Sequence, residues 1–193
     1  MKRIARSCAT LAILAGLTAV TLHVSHALTA GRWAKLPAEG VVAGKNGGLG
    51  PLAVCRAGFD DGQHPGKLWQ GQCHFEWGWD DHITPGFEVL LDDGYRWENP
   101  GRVVQTVLGP VWKVELPSNA VDGGDAGTHA AHTRLGICLA FMPADNTWHP
   151  GKFFAEHCNI AWGGVGVDSM PDHPRNKRKV APLATGNVLV LVK

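Results

Sequence analysis

The stretch His64-Pro65-Gly66-Lys67 decides the fold, because it returns 85 residues later as His149-Pro150-Gly151-Lys152. Six residues after each lysine comes a cysteine, Cys73 or Cys158, and four residues after each cysteine comes the dipeptide Trp-Gly. Tryptophan and cysteine are rare, so seven identities at one fixed spacing indicate an internal repeat. We refer to the recurring tetrapeptide as the His-Pro-Gly-Lys motif.

The match extends upstream after a small gap, where Leu36-Pro37 corresponds to Leu116-Pro117 and Gly44 to Gly124. These correspondences predict two diverged copies of one unit, residues 32–93 and 111–193, joined by a connecting segment at 94–110. Copy two carries an insertion at 167–185, which includes the basic run 175–179. We interpret that run as a solvated loop, with contact to acidic headgroups or polysaccharide as the alternative.

Glycine and proline, 25 and 12 of 193 residues, interrupt the sequence too often for long helices. Between them lie short β-prone runs at 52–57, 73–77, 87–91, 102–108, 111–114, 135–141, 158–162 and 188–192. Such a pattern is typical of an all-β fold. We therefore predict two tandem antiparallel β repeats, packed together with pseudo-twofold symmetry in a sandwich-like arrangement, because neither copy alone has much core to bury.

Residues 1–27 have the three parts of a signal peptide: a basic start, an apolar run over 8–24, and small residues at the −3 and −1 positions, Ser25 and Ala27. A membrane anchor is the alternative, but the apolar run is short for a span. We expect a secreted or periplasmic protein with no transmembrane span after cleavage. The 18 basic residues fall to 15 without Lys2, Arg3 and Arg6, against 17 acidic residues. No basic field therefore favours nucleic acid.

Four cysteines remain after cleavage, namely Cys55, Cys73, Cys138 and Cys158. An even number in an oxidising compartment favours disulfides over free thiols, and the lack of Cys-x-x-Cys spacing argues against a zinc site. One cysteine of each copy precedes the His-Pro-Gly-Lys motif and the other follows it. Repeat symmetry therefore predicts the bridges Cys55–Cys73 and Cys138–Cys158.

The ordered series Leu36-Pro37, 41–44, 51–57, 65–67, 73–75 and 87–90 resembles the DM-nine repeat. That repeat occurs in tandem in lectin-like proteins and at the N-terminus of natterin-type toxins. The resemblance implies an all-β fold and, from its lectin members, binding of mannose-type sugars. In that family the lysine of Pro-Gly-Lys acts with a polar or acidic residue in the turn after Ala-Gly. The implied ligand-binding residues here are Lys67 with Asn46, and Lys152 with Asp125, although Asn46 is not an acid and Asp125 falls one residue early.

The chemistry of Pro-Gly-Lys supports the same residues. Proline and glycine suit a turn, from which an exposed lysine presents three donors to sugar hydroxyls. An exposed lysine is replaced by alanine at a cost below about 0.5 kcal/mol. The alternative is a strand-entry turn whose lysine is merely solvated. Trp79 and Trp148 are the expected surface indoles, whereas Trp77 and Trp162 recur at one place and suggest packing.

Catalytic motifs such as Gly-x-Ser-x-Gly and His-Glu-x-x-His are absent from the sequence, so we predict no enzyme, cofactor or metal. We expect an exported carbohydrate-binding protein whose partner is a glycan. A structural or interaction protein of the cell envelope is the first alternative. An uncharacterised hydrolase using the acidic pairs at 60–61, 80–81 or 92–93 is the second.

Overall fold

The computed structural model describes residues 28–35, 40–45, 50–106, 109–168 and 188–193. The signal-peptide prediction and most of the insertion lie outside these residues. The described chain is all-β, as predicted, with one short 3₁₀ turn at Thr128–Ala130. The strands are β1 (Thr29–Ala30), β2 (Trp33–Ala34), β3 (Val42–Lys45), β4 (Pro51–Phe59), β5 (Gly62–Trp69), β6 (Gln72–Trp77), β7 (Asp80–Thr84), β8 (Phe87–Leu90), β9 (Arg96–Glu98), β10 (Gly101–Thr106), β11 (Gly109–Val114), β12 (Val121–Asp125), β13 (Arg134–Met142), β14 (Thr147–Phe154), β15 (His157–Trp162), β16 (Val165–Asp168) and β17 (Val188–Val192).

Both copies use the same strand pairing. In copy one, β4 pairs with β3, β5 and β8, and β5 continues through β6 to β7. In copy two, β13 pairs with β12, β14 and β17, and β14 continues through β15 to β16. The pairs are antiparallel except for β1, which runs parallel to β12. Fifteen of the described strands form one continuous sheet that does not close into a barrel, and β10 and β11 form a separate two-stranded ribbon.

The two copies meet by reciprocal contacts. Strand β12 of copy two joins β5 of copy one at the pair Asp125 and Gln63. A Cβ atom on Gly124 would overlap the carbonyl oxygen of Gln63, and one on Gly44 would overlap that of Trp148. Gln63 and Trp148 each directly precede a His-Pro-Gly-Lys motif, so the same contact is made twice with the copies exchanged. This is the pseudo-twofold packing that the repeat predicted.

The His-Pro-Gly-Lys motif lies within strands β5 and β14, so the prediction that it forms a turn was wrong. Neither glycine of the motif adopts a positive φ. A Cβ atom on Gly66 would overlap the carbonyl oxygen of His74, and one on Gly151 would overlap that of Asn159. The glycines therefore allow close approach of the neighbouring strands β6 and β15.

Cystine bridges join Cys55 to Cys73 and Cys138 to Cys158, which confirms the predicted pairing. Each bridge lies in the core of its own copy, beside Phe75 in copy one and Phe153 in copy two. Trp77 and Trp162 pack against these two clusters, as expected from their recurrence. A third cluster draws on both copies and consists of Val54, Leu90, Val121, Ile137 and Leu191. The copies thus share a core.

The predicted connecting segment at 94–110 is structured where it is described. Strand β9 within it pairs with β17, the last strand of copy two, and β10 begins the separate ribbon. In the part of the chain that the structure describes, no helix has the length and apolar character needed to cross a membrane.

Candidate functional site

The inter-repeat cleft is an open cavity of about 630 Å³ between the two copies. Copy one supplies one wall from the β4–β5 turn and the β6–β7 hairpin, and copy two supplies the other from β14, β15 and the 3₁₀ turn. The lining residues are Asp60, Glu76, Trp77, Gly78, Trp79, His129, Lys152, Phe154, Ala155, His157 and Asn159. Carboxylates, imidazoles, an amide and indoles are therefore close together in one concave surface.

A buried ion pair between the copies forms part of this cleft. Lys152 Nζ lies 2.8 Å from Glu76 Oε2 and also donates to the backbone carbonyl of Glu76. Only 2 % of the lysine side chain and 6 % of the glutamate side chain are exposed. The ammonium also lies 4.4 Å from the ring centroid of Trp77, which adds a cation–π contact. Burial lowers the pKa of Lys152, while the Glu76 carboxylate opposes that shift.

The β6–β7 hairpin presents an indole in a strained backbone conformation. Its turn residues Gly78 and Trp79 have φ of 62° and 74°. Hairpins of two residues favour positive φ at both positions, which glycine adopts readily and tryptophan does not. Copy two has Gly164 where copy one has Trp79. The turn is held by the Trp79 N–H, which donates to Glu76 Oε1 at 2.8 Å, and by the N–H of Gly166, which donates to the carbonyl of Trp79.

The rim of the cleft carries further polar groups. His129 Nε2 lies 2.7 Å from Asp60 Oδ2, across the two copies, and both side chains are exposed. His157 is half-buried and Asn159 is buried beside Lys152 on the paired strand. Carboxylate and amide oxygens accept hydrogen bonds from hydroxyl groups, whereas the amide and ammonium groups donate them. The cleft can therefore bind a ligand rich in hydroxyl groups.

The lysine of copy one occupies a related but different environment. Lys67 Nζ lies 3.3 Å from His149 Nδ1, and His149 Nε2 lies 2.9 Å from Asp145 Oδ2. The indole N–H of Trp162 donates to the same carboxylate oxygen at 2.9 Å. Lys67 thus contacts copy two, as Lys152 contacts copy one. The difference is that Lys67 meets a neutral imidazole, whereas Lys152 meets a carboxylate.

Burial sets the protonation of this cluster. Desolvation lowers the pKa of Lys67 to about 8, against the opposing pull of Asp81 and Asp145. Desolvation and the charge of Lys67 lower the pKa of His149 to about 4. Burial alone would raise the pKa of Asp145, but hydrogen bonds from Thr147 and Trp162 hold it below its usual value. His149 is therefore neutral at pH 7, with Nδ1 accepting from the lysine and the proton on Nε2.

The two predicted lysines are at the repeat interface, and the expectation that they are exposed was wrong. Lys67 is 5 % exposed and Lys152 is 2 % exposed, because each is directed at polar groups of the opposite copy. Asp125 is not among the residues that line the cleft. Its carboxylate accepts from the N–H of Gly127 at 2.8 Å and stabilises the turn after β12. Asn46 lies outside the described residues.

Glu76 is a cleft residue that the sequence did not reveal, whereas Trp79 was expected only as a surface indole. Glu76 stands directly before a recurring Trp-Gly pair, where copy two has Ala161, so the repeat comparison gave no sign of a shared function. A usable signal existed in the difference between copies: Trp79 replaces a turn glycine, which is costly for the backbone. Among the described residues, no three His, Cys, Asp or Glu side chains are placed to hold a metal ion.

The fold and the cleft together define an all-β protein of two disulfide-bonded repeats with a polar, indole-lined cavity between them. No protein-family model and no curated protein matches the sequence. Among solved structures, the crystal structure of the nematode sperm cell motility protein MFP2B is similar, with a TM-score of 0.48 and 14 % sequence identity. The similarity covers 84 % of this chain and 47 % of that one, so this chain spans about half the length of that protein.

Proposed function

We propose that this protein is an exported carbohydrate-binding protein and that the inter-repeat cleft is its sugar site. The observation that carries the proposal is a buried Lys152–Glu76 pair at a cavity flanked by the indoles of Trp77 and Trp79. Sugars present hydroxyl groups on their edges and apolar C–H groups on their faces. A cavity with fixed donors and acceptors beside indole surfaces matches both features.

Each group in the cleft has a defined part in this proposal. Glu76 uses Lys152 and the N–H of Trp79 to fix its carboxylate, which then accepts from sugar hydroxyls. The ammonium of Lys152 has three N–H donors, and among the described residues two of them go to Glu76, which leaves one for a sugar oxygen. The amide of Asn159 offers both a donor and an acceptor. Trp79 supplies the apolar surface at the open side.

The export and the class of sugar rest on the sequence. Two disulfides are typical of proteins that leave the reducing cytosol, in agreement with the signal-peptide prediction for residues 1–27. The resemblance to the DM-nine repeat favours mannose-type glycans as the first ligands to test. The partner is therefore a glycan, on a cell surface or free.

A glycan array with the disulfide-intact protein tests the proposal, followed by calorimetric titration of the best ligand into variants. We expect Trp79→Gly and Asn159→Ala each to weaken binding about 10-fold or more. Trp79→Gly installs the residue that copy two has in the same turn, so the backbone tolerates it. Trp148→Ala, which removes an indole outside the cleft, is the matched control and keeps full affinity.

Three outcomes separate the proposal from its alternatives. Binding that persists unchanged in Trp79→Gly and Asn159→Ala places the sugar elsewhere on the protein. No binding on the array refutes the lectin function and favours an interaction protein of the cell envelope. Release of reducing ends from a bound oligosaccharide, with loss of that release in Asp60→Asn, establishes a hydrolase instead.

A further inference from the structure

A second cavity, the copy-one groove, lies on copy one and shares no lining residue with the inter-repeat cleft. Its volume is about 550 Å³, and its polar lining comes from Lys35, Arg56, Gln63 and Glu88. The half-buried ring of Phe87 supplies apolar surface to the groove.

Arg56 is held rigidly in this groove. Its Nε and one terminal nitrogen donate to a single oxygen of Glu88, Oε2, at 2.8 and 2.7 Å. Its guanidinium stacks over the ring of Trp33 at 4.3 Å from the centroid. A guanidinium has five N–H donors. Among the described residues, the remaining donors of Arg56 have no protein hydrogen-bond partner.

The charges of the groove do not cancel. Glu88 neutralises one cation, and Lys35, which is exposed at the edge of the groove, adds a second. The inter-repeat cleft has the opposite balance, because its lining includes one lysine, Lys152, and two carboxylates, Glu76 and Asp60. The copy-one groove therefore attracts an anion. An arginine fixed by stacking, with its remaining donors pointing away from its carboxylate partner, suits a second carboxylate in particular.

We propose that the copy-one groove binds the carboxylate of an acidic sugar, through Arg56 and Lys35. The groove is much larger than a carboxylate alone. The ring of Phe87 offers a surface for the apolar face of a sugar ring, and the amide of Gln63 offers partners for its hydroxyls. The site is independent of the inter-repeat cleft, and the proposal stands whether or not that cleft binds a neutral sugar.

Copy two shows what the same position looks like without this function. The cross-strand pair Arg56 and Glu88 of copy one corresponds to the pair Leu139 and Leu189 of copy two. In each copy the first residue of the pair directly follows the first cysteine of the disulfide. The repeat fold therefore accommodates an apolar pair at this position in copy two. Arg56→Leu is the matched variant that copy two supplies.

Titration of the disulfide-intact protein with trigalacturonate, its uncharged methyl ester, and acetate tests the proposal. We expect trigalacturonate to bind at least 10-fold more tightly than either the ester or acetate. Arg56→Leu should weaken that binding about 10- to 100-fold, and Lys35→Ala by a smaller factor. Glu88→Gln removes the competing carboxylate and should strengthen it. Trp79→Gly, in the other cleft, should leave it unchanged.

Several results would overturn the proposal. Equal binding of acid and ester shows that charge is not recognised, and equal binding of acetate shows that the sugar is not. A lack of trigalacturonate binding up to about 10 mM also refutes the proposal, because that concentration is about the weakest dissociation constant of interest. If circular dichroism shows that Arg56→Leu does not fold, the affinities of Lys35→Ala and Arg56→Lys for trigalacturonate test the proposal instead. Wild-type affinity in both of these variants means that the groove is not the site.

Discussion

Removal of the Glu76 carboxylate is the most direct perturbation of the interface between the copies. Glu76→Gln keeps the size of the side chain but leaves the Lys152 ammonium, 2 % exposed, without its anionic partner at 2.8 Å. Breaking a buried pair in this way costs about 3–5 kcal/mol, because a buried charge remains uncompensated. For a chain of this length each kcal/mol lowers Tm by about 2–4 °C, so we expect a loss of about 10 °C.

The double variant Glu76→Gln/Lys152→Met isolates the pair itself. Replacing both charges removes the desolvation penalty as well as the attraction between them. We therefore expect the double variant to lower the free energy of unfolding by no more than about 1–2 kcal/mol. The two single changes are then far from additive in a double-mutant cycle, because each leaves one buried charge unpaired at about 3–5 kcal/mol and the double change leaves none. Urea unfolding followed by far-ultraviolet circular dichroism measures all four proteins.

The pH dependence of the Glu76→Gln variant provides a second test. Without the carboxylate, desolvation alone acts on the lysine, so its folded-state pKa falls further below the unfolded value of 10.5. Between those two pKa values the unfolded chain holds a proton that the folded chain has lost, so stability rises with pH. The difference in free energy of unfolding between wild type and Glu76→Gln should therefore become smaller from pH 7 to pH 10. Single variants that each cost under 1 kcal/mol, or that add in the double variant, would refute this reasoning.

Three further predictions follow from the buried polar and sulfur groups. Lys67→Met should lower the free energy of urea unfolding by less than half as much as Lys152→Met. The reason is that Lys67 contacts an imidazole, so its removal leaves no carboxylate that was in direct contact with the ammonium. Replacing Cys55 and Cys73 by alanine should lower the free energy of unfolding by about 3 kcal/mol, and an unchanged urea midpoint would contradict this. Burial lowers the pKa of His64 and His149 to about 4, so both are neutral in the folded protein at pH 7. The free energy of unfolding should therefore be highest above pH 6.5 and fall between pH 6.5 and 4, by up to about 3 kcal/mol per histidine. A free energy of unfolding that stays constant over that range would show that the two histidines are charged in the folded protein.

The repeat and the β-prone runs predicted most of the fold. The runs at 52–57, 73–77 and 188–192 lie in β4, β6 and β17, and symmetry predicted both disulfides. Strands β5 and β14 were missed, because proline and glycine in the His-Pro-Gly-Lys motif normally indicate a turn. What makes them strands is the close approach of β6 and β15, which only a glycine permits. That contact depends on tertiary structure and leaves no local pattern.

The candidate site could be predicted only in part. The sequence pointed to Lys152, but it could not show that the partner is Glu76, 76 residues earlier and in the other copy. Local patterns carry no information about pairs that form across a repeat interface. The burial of the lysine has the same cause, since its surroundings are supplied by the opposite copy. Trp79 was selected as a surface indole, and the structure places it at the cleft, half-buried.

The reciprocal glycine contacts of Gly44 and Gly124 have a consequence for how the two sites can specialise. In a dimer of identical chains, a twofold axis forces every substitution to occur at both sites at once. Here both halves belong to one polypeptide, so each site can change alone while the shared interface is kept. Glutamate at position 76 corresponds to alanine at position 161 in the other copy, and tryptophan at position 79 corresponds to glycine at position 164. A symmetric scaffold within a single chain thus carries unlike side chains at its two equivalent positions.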